Sequence, residues 1–112
     1  MMYAICKELN IKFYAIFRPV LVMKKSFSDK DKEQLQYRFP TLNANAINDS
    51  IQKKTFTLIG DKLKEKQIPY IKDFTNIFDD INEIIYRDGI HFFDLGNELM
   101  AKQIFKLIET DL

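Results

Sequence analysis

Only two segments of the sequence have the composition of β-strands, and this scarcity limits the folds that the chain can adopt. Residues 11–17 (IKFYAIF) are β-rich and nearly continuous in apolar character, as expected for a strand covered on both faces in a parallel sheet. Residues 70–74 (YIKDF) are a shorter candidate. Helical patterns surround both, which is the order of an α/β layered fold. Because a doubly wound sheet usually has about four to six strands, we expect this chain to be the second half of such a domain.

The first half of the chain carries local signals for two helices and a loop. Apolar residues at a helical spacing predict a helix over residues 2–9, and Asn10 is expected to end it. Residues 20–27 are predicted to form a loop. Ser28 is then expected to cap a helix whose charged residues leave it mostly solvated.

The second half predicts two amphipathic helices. A long one follows the Asn-rich residues 43–48 and ends at residues 67–69. The side chains expected to face the core from this helix are Ile47, Ile51, Phe56, Leu58, Ile59 and Leu63. The last helix is expected to have Asp94 at its cap position and an ion pair between Glu98 and Lys102 on its solvated face.

Composition excludes several classes of protein. Lys and Arg total 17 against 16 for Asp and Glu, so the net charge of +1 provides no field that would draw the chain onto nucleic acid or anionic lipid. Cys6 and His91 are the only residues of their types, too few for an internal disulfide or a structural zinc site. No apolar run reaches the roughly 20 residues of a membrane span. The start of the chain lacks a signal-peptide pattern, but a signal further upstream would leave the compartment open.

The single histidine lies in the segment that carries the most chemical information, residues 85–101 (IYRDGIHFFDLGNELMA). In a tight loop, Asp88 and His91 can fold toward each other, with Gly89 supplying backbone freedom. A carboxylate that accepts a hydrogen bond from one imidazole nitrogen leaves the other nitrogen free to take a proton from a serine hydroxyl. The spacing therefore suits a general base held in one tautomer.

This segment resembles the last conserved block of the SGNH (GDSL-type) hydrolases, in which Asp-x-x-His precedes the C-terminal helix. The residues that match the family pattern are Asp88, His91, Phe92, Asp94, Gly96, Asn97 and Ala101. Phe93 stands where the family commonly has a small hydroxyl residue. The resemblance implies the C-terminal half of a flavodoxin-like three-layer α/β/α domain with a parallel sheet, so that residues 1–112 would be one partial domain.

The resemblance also implies an activity, and it identifies the catalytic groups that this sequence lacks. Asp88 would be the orienting acid and His91 the base of a serine esterase, acting on a small-molecule or carbohydrate ester with no metal or organic cofactor. The family nucleophile lies in a Gly-Asp-Ser motif, whereas the serines here are Ser26, Ser28 and Ser50, none of which follows Gly-Asp. The N-terminal half of the domain would therefore be the partner that completes the enzyme, and this chain alone should be inactive.

Three other interpretations remain open. With ten Asp residues in the chain, a histidine has one three positions earlier about one time in eleven by chance, so His91 could be an ordinary loop residue. A truncated or degenerate domain that serves as an interaction module is a second alternative. A small α/β binding module unrelated to esterases is the third.

Two polar pairs have both a functional and a structural interpretation. Asn48 and Asp49 repeat the Asn-Asp of the family's oxyanion motif without its glycine, and a helix cap is the favoured interpretation. Lys24 and Lys25 could contact an anionic group of a substrate, but a solvated loop is favoured.

Two further clusters also have both a functional and a structural interpretation. Asp79, Asp80 and Glu83 could hold a cation, although acids at a helix start, where they complement the helix dipole, are the favoured interpretation. Phe92 and Phe93 could line an acyl pocket, but packing against the core is favoured.

Overall fold

The structure, a computed structural model, describes residues 1–37 and 42–112, with side chains described at residues 1–35 and 49–112. Helices and two short strands alternate in these residues, so the expected α/β order is confirmed. In chain order the elements are helix α1 (Met2–Glu8), strand β1 (Ala15–Phe17), a 3-10 helix (Leu21–Met23), helix α2 (Asp29–Tyr37), helix α3 (Leu42–Lys66), strand β2 (Ile71–Asp73), helix α4 (Asp94–Ile108) and a second 3-10 helix (Glu109–Asp111).

The two strands form a parallel pair, in agreement with the sequence. Ala15 lies opposite Ile71 in the register. At the two ends of the pair, the Ala15 N–H donates to the Tyr70 carbonyl at 2.8 Å, and the Phe74 N–H donates to the Phe17 carbonyl at 2.9 Å. Each strand has only three residues, and the side chains of β1 are half-buried, so the expectation that β1 is covered on both faces is wrong for this chain.

Helices α1 and α3 end at residues with left-handed backbone conformation. Asn10 has a φ of 54°, and its N–H donates to the Lys7 carbonyl while the Ile11 N–H donates to the Cys6 carbonyl. This pair of bonds is a Schellman motif, which satisfies the last carbonyls of the helix. Gln67, with a φ of 48°, ends α3. Both helix ends predicted from the sequence are confirmed.

Ser28 caps helix α2 as the sequence predicts. Its Oγ accepts the N–H of Asp31 at 3.1 Å, and Oδ2 of Asp31 accepts the N–H of Ser28 at 3.0 Å. The two residues thus form a reciprocal capping box, which satisfies donors that the first turn of a helix otherwise leaves unpaired.

Helix α2 is mostly solvated over its described side chains, as the sequence predicts, but Asp31 is an exception because it is buried against Lys24. Nζ of Lys24 lies 2.5 Å from Oδ2 of Asp31 and donates to the Ile81 carbonyl at 2.8 Å. Both side chains are almost fully buried, at 2% and 3% exposure. Lys24 is therefore a structural ion-pair partner, and neither the solvated loop nor the substrate contact describes it. Lys25, its neighbour, is exposed.

The core includes residues 20–22, for which the sequence predicts a loop. Its central cluster consists of the buried side chains of Leu21, Phe78, Ile85 and Tyr86. Phe78 and Tyr86 pack edge to face, with 5.9 Å between their ring centroids. The buried apolar side chains of the described chain thus lie in the segment after β1 and the segment before α4.

Helix α3 contributes much less to the core than its pattern predicts. Ile51, Leu58 and Ile59 are 60%, 57% and 41% exposed, so the expectation that they face the core is wrong in this chain. Phe56 does pack, because its ring stacks on Phe17 with 5.0 Å between centroids. A sheet of two three-residue strands is too narrow to cover a helix of this length.

Two helix caps predicted from the sequence, at Asn48 and Asp49 and at Asp94, are not present in the structure. Asn48 and Asp49 lie within helix α3, which begins at Leu42, so they are not its cap. Helix α4 begins at Asp94, with Phe93 at the cap position and no side-chain cap bond. Glu98 and Lys102 form the expected ion pair at 2.6 Å.

The described chain exposes more surface than a compact domain of its mass. Its accessible area is 8195 Å², whereas about 6,500 Å² is typical for a folded monomer of this size. Its radius of gyration is 16.1 Å, against about 13 Å for a compact domain of this length. Within residues 1–37 and 42–112, no helix has the length and apolar character needed to cross a bilayer.

The buried ion pair gives a test of stability. Lys24→Met leaves the Asp31 carboxylate buried without its cation and should lower the free energy of unfolding by about 3–5 kcal/mol. The exposed pair of Lys62 and Glu65 supplies the control, since Lys62→Met should cost under about 1 kcal/mol. Adding Asp31→Leu to Lys24→Met removes the buried charge and should recover part of the loss. Equal effects of the two single variants in urea unfolding would contradict the structural role of Lys24.

Gly60 and Gly96, the two glycines within helices, differ in the space available for a side chain. A Cβ at Gly96 would lie 2.8 Å from Cβ of Phe92 and 3.1 Å from the Ile85 carbonyl oxygen, whereas a Cβ at Gly60 would meet only a Phe17 ring carbon at 4.0 Å. Gly96→Ala should therefore destabilise the chain by about 1–3 kcal/mol through overpacking. Gly60→Ala should stabilise it by up to about 1 kcal/mol through helix propensity. Thermal unfolding of both variants measures the two opposite shifts.

Candidate functional site

Asp88 and His91 lie in a tight loop between the core and helix α4. Tyr86 and Phe92 form an isolated antiparallel bridge at its base. Inside the bridge, the Arg87 N–H donates to the His91 carbonyl at 2.8 Å. Backbone contacts alone therefore close the loop as a hairpin.

The loop lies at the C-terminal end of β1, as expected for a site in a parallel sheet. The Leu21 N–H donates to the Gly89 carbonyl at 2.9 Å, and the Arg18 guanidinium donates to the Ile90 carbonyl. Arg18 directly follows β1. Gly89 has a φ of 91°, a conformation that side-chain-bearing residues rarely adopt, so its predicted role in turning the loop is confirmed.

The loop brings the two predicted site residues together. Nδ1 of His91 lies 2.7 Å from Oδ2 of Asp88. The other carboxylate oxygen, Oδ1, accepts the N–H of His91 at 2.8 Å and the N–H of Ile90 at 3.1 Å. Because an ionised carboxylate only accepts hydrogen bonds, Nδ1 carries the proton of this bond, and the neutral tautomer that this bond favours has Nε2 as an acceptor.

The main chain controls the charge of Asp88. The N–H of His91 is the largest influence, and together with the imidazole and the N–H of Ile90 it outweighs desolvation and lowers the pKa of the Asp88 carboxyl to about 2. The side chains of His91 and Asp88 are 70% and 48% exposed. The carboxylate is thus ionised over the physiological range, and the imidazole is open to solvent.

The imidazole borders a surface cleft of about 520 Å³, which we call the His91 cleft. Its walls come from β1, the loop and α4, and the lining residues are Ile16, Arg18, His91, Phe92, Asn97 and Met100. The polar groups lie beside apolar side chains from the strand and the helix, which is typical of sites for small ligands.

The two loop aromatics have different environments. Phe92 is half-buried and packs edge to face on Phe78 and Tyr86, with centroid distances of 5.3 and 5.4 Å. It therefore packs against the core, as favoured from the sequence, and also reaches the cleft. Phe93 is 42% exposed, so core packing is wrong for that residue.

The serines of the chain have other positions. Oγ of Ser28 accepts the hydrogen bond that caps α2, Ser26 is exposed in the loop before it, and Ser50 lies on α3. In the described part of the chain, Nε2 of His91 makes no hydrogen bond to a serine or to any other residue. The structure thus assembles an acid and a base without a nucleophile beside them.

The acidic cluster near the core has a structural role. The segment around Asp79 forms turns and no helix, so the helix-start interpretation is wrong. Asp79 is buried and accepts the Lys25 N–H at 3.1 Å. No group of three or more His, Cys, Asp or Glu residues that could hold a metal occurs in residues 1–37 and 42–112.

Sequence reasoning missed Arg18 and Tyr86. Arg18 could have been found from its place directly after a strand, at the sheet edge where sites of parallel sheets lie. Burial raises the pKa of the Tyr86 hydroxyl, and Oη is buried without a hydrogen-bond partner in the described chain. No local pattern in the sequence signals that Tyr86 environment.

No protein-family model, curated protein or solved structure matches this chain. The resemblance of residues 88–101 to SGNH hydrolases therefore rests on the residue types of that segment alone.

The pKa of Asp88 can be measured through its carboxyl ¹³C shift during an acid titration. Because the folded-state pKa lies below the ordinary 3.8, Asp88 contributes to stability above that pH, and the contribution is lost as the pH falls toward 2. His91→Ala removes the imidazole but keeps the main-chain N–H, so the pKa should rise only part of the way. A return to about 3.8 in that variant would contradict main-chain control.

Proposed function

We propose that the chain is the C-terminal half of a flavodoxin-like three-layer α/β/α domain of an SGNH-type ester hydrolase, in which Asp88 and His91 are the orienting acid and the general base. The observation that carries this proposal is the 2.7 Å contact between Nδ1 of His91 and Oδ2 of Asp88, which leaves Nε2 unbonded at the edge of a cleft. Nε2 is the atom that a general base of this kind uses.

The proposed reaction is serine acylation followed by hydrolysis. Nε2 of His91 takes the proton of a serine hydroxyl as the serine oxygen attacks the ester carbonyl, and it then gives that proton to the departing alcohol. Water, activated by the same nitrogen, releases the acid. Asp88 stabilises the imidazolium that forms in each step. The serine and the oxyanion donors come from the N-terminal half of the domain, and the substrate is a small-molecule or carbohydrate ester.

The exposed surface of the chain supports the half-domain part of the proposal. The accessible area exceeds the typical value for a monomer of this mass by about a quarter. Ile51, Leu58 and Ile59 of α3 contribute apolar area to that excess. Further strands beside β1 and β2 would supply the layer on which such a helix packs in an α/β/α domain.

The same surface favours a second candidate function. A degenerate α/β domain that acts as an interaction module would also expose an apolar helix face and would need no serine near His91. An in-frame segment before Met1 that encodes a strand and Gly-Asp-Ser favours the hydrolase, and a stop codon there favours the interaction module.

Hydrolysis of p-nitrophenyl acetate tests the catalytic roles. The chain alone should not exceed the rate of free imidazole, because no serine and no oxyanion donors are positioned. Joined to an upstream half that carries Gly-Asp-Ser, it should gain activity. His91→Ala should abolish that activity, and Asp88→Asn should reduce it roughly 10³–10⁴-fold through loss of the tautomer.

Asp80→Asn is the matched control for the loss of one carboxylate, because Asp80 is exposed and does not line the His91 cleft. It should leave the rate within about twofold of the parent. Equal hydrolysis by the joined protein and its His91→Ala variant would refute the catalytic assignment.

A further inference from the structure

Arg18 is held in the His91 cleft with its charge unpaired. Its guanidinium donates to the Ile90 carbonyl and lies over the ring of Phe92, 4.9 Å from the ring centroid. Arg18 takes part in none of the ion pairs formed by the described residues. The side chain is exposed, so these two contacts orient it without removing it from solvent.

This arrangement suits the recognition of an anion. A guanidinium has five N–H donors in a planar fork that matches the two oxygens of a carboxylate. The bond to Ile90 uses one Nη2 donor and leaves others free. Because the carbonyl and the aromatic ring already restrict the side chain, less rotamer entropy is lost when a ligand binds.

The rest of the cleft determines what the anion is attached to. Ile16 from β1 and Met100 from α4 are half-buried apolar side chains that line the same cleft as Arg18. A short alkyl chain beside them would bury apolar area, while the charged end meets the guanidinium. An inorganic ion would make only the second of these contacts.

We propose that the His91 cleft binds a small organic carboxylate, with Arg18 as the receptor for the carboxylate and Ile16 and Met100 as the contacts for its alkyl part. Where this ligand is a substrate, the inference rests on the proposed function: the enzyme would act on esters that carry a free carboxylate away from the ester bond. The binding itself requires neither the serine nor the missing half of the domain.

Titration of the full chain with sodium butyrate tests the binding, followed by NMR at the Arg18 Nε–H and the Met100 methyl group. Both signals should shift saturably, with a dissociation constant on the order of 1–10 mM. Neutral 1-butanol, which has the same number of carbon atoms, should bind at least about tenfold more weakly, because it lacks the charge-assisted hydrogen bonds. Added salt should weaken the binding of butyrate but not that of butanol.

Variants separate the role of Arg18 from the general charge of the loop. Arg18→Gln should weaken butyrate binding about tenfold or more, whereas Arg87→Gln should change it less than about twofold. Arg87 is the matched control, since it is an exposed arginine of the same loop that does not line the cleft. The His91 amide signal reports whether the loop keeps its structure. Arg18→Lys, which keeps the charge but not the planar fork, should give an intermediate loss.

Three results would overturn the inference. Equal binding of butyrate and butanol would show that the cleft does not recognise the anionic group. Unchanged butyrate binding in Arg18→Gln would show that Arg18 is not its receptor. Phosphate binding as tight as that of butyrate would show that the alkyl part makes no contribution. His91→Ala separates this inference from the proposed function, because it should abolish hydrolysis in the joined protein while Arg18 still binds butyrate.

Discussion

The ammonium group of Lys24 joins three separate segments of the chain, one of them 57 positions away. It pairs with Asp31 at the start of α2 and donates to the carbonyl of Ile81 in the turns before the loop. A buried cation is costly unless such partners surround it, so the three segments must come together at one place. The core of Leu21 and Phe78 lies in these same segments, and side chains from α2, the loop and α4 pack against it.

The candidate site is built on this core mainly by main-chain contacts. The Leu21 N–H, three residues before Lys24, donates to the carbonyl of Gly89, and Phe92 packs on the core aromatics at the other end of the loop. The carboxylate of Asp88 is then held by two backbone N–H groups. An acid and base whose geometry depends on the backbone keep that geometry while exposed to solvent, where a pair of flexible side chains would not.

Arg18 connects the structural and chemical roles of the loop. Its bond to Ile90 helps to hold the loop against the strand, and the same guanidinium presents its remaining donors to the His91 cleft. The cleft thus has a base at one position and a cation at another, with apolar side chains beside them. The described residues do not supply a serine beside Nε2, and the apolar side chains of Ile51, Leu58 and Ile59 on α3 are exposed.

The sequence by itself determined the features that depend on neighbours within about one helical turn. The end of α1 at Asn10, the cap at Ser28 and the contact of Asp88 with His91 all follow from residue types at short spacing, because each is closed by bonds three to five residues apart. The tertiary structure decided the features set by distant contacts. Arg18 and Ile90 are 72 positions apart and Lys24 and Ile81 are 57 apart, so no local pattern signals either bond. The exposure of α3 belongs to the same class, since periodicity shows that a helix has an apolar face but not whether the rest of the fold is wide enough to cover it.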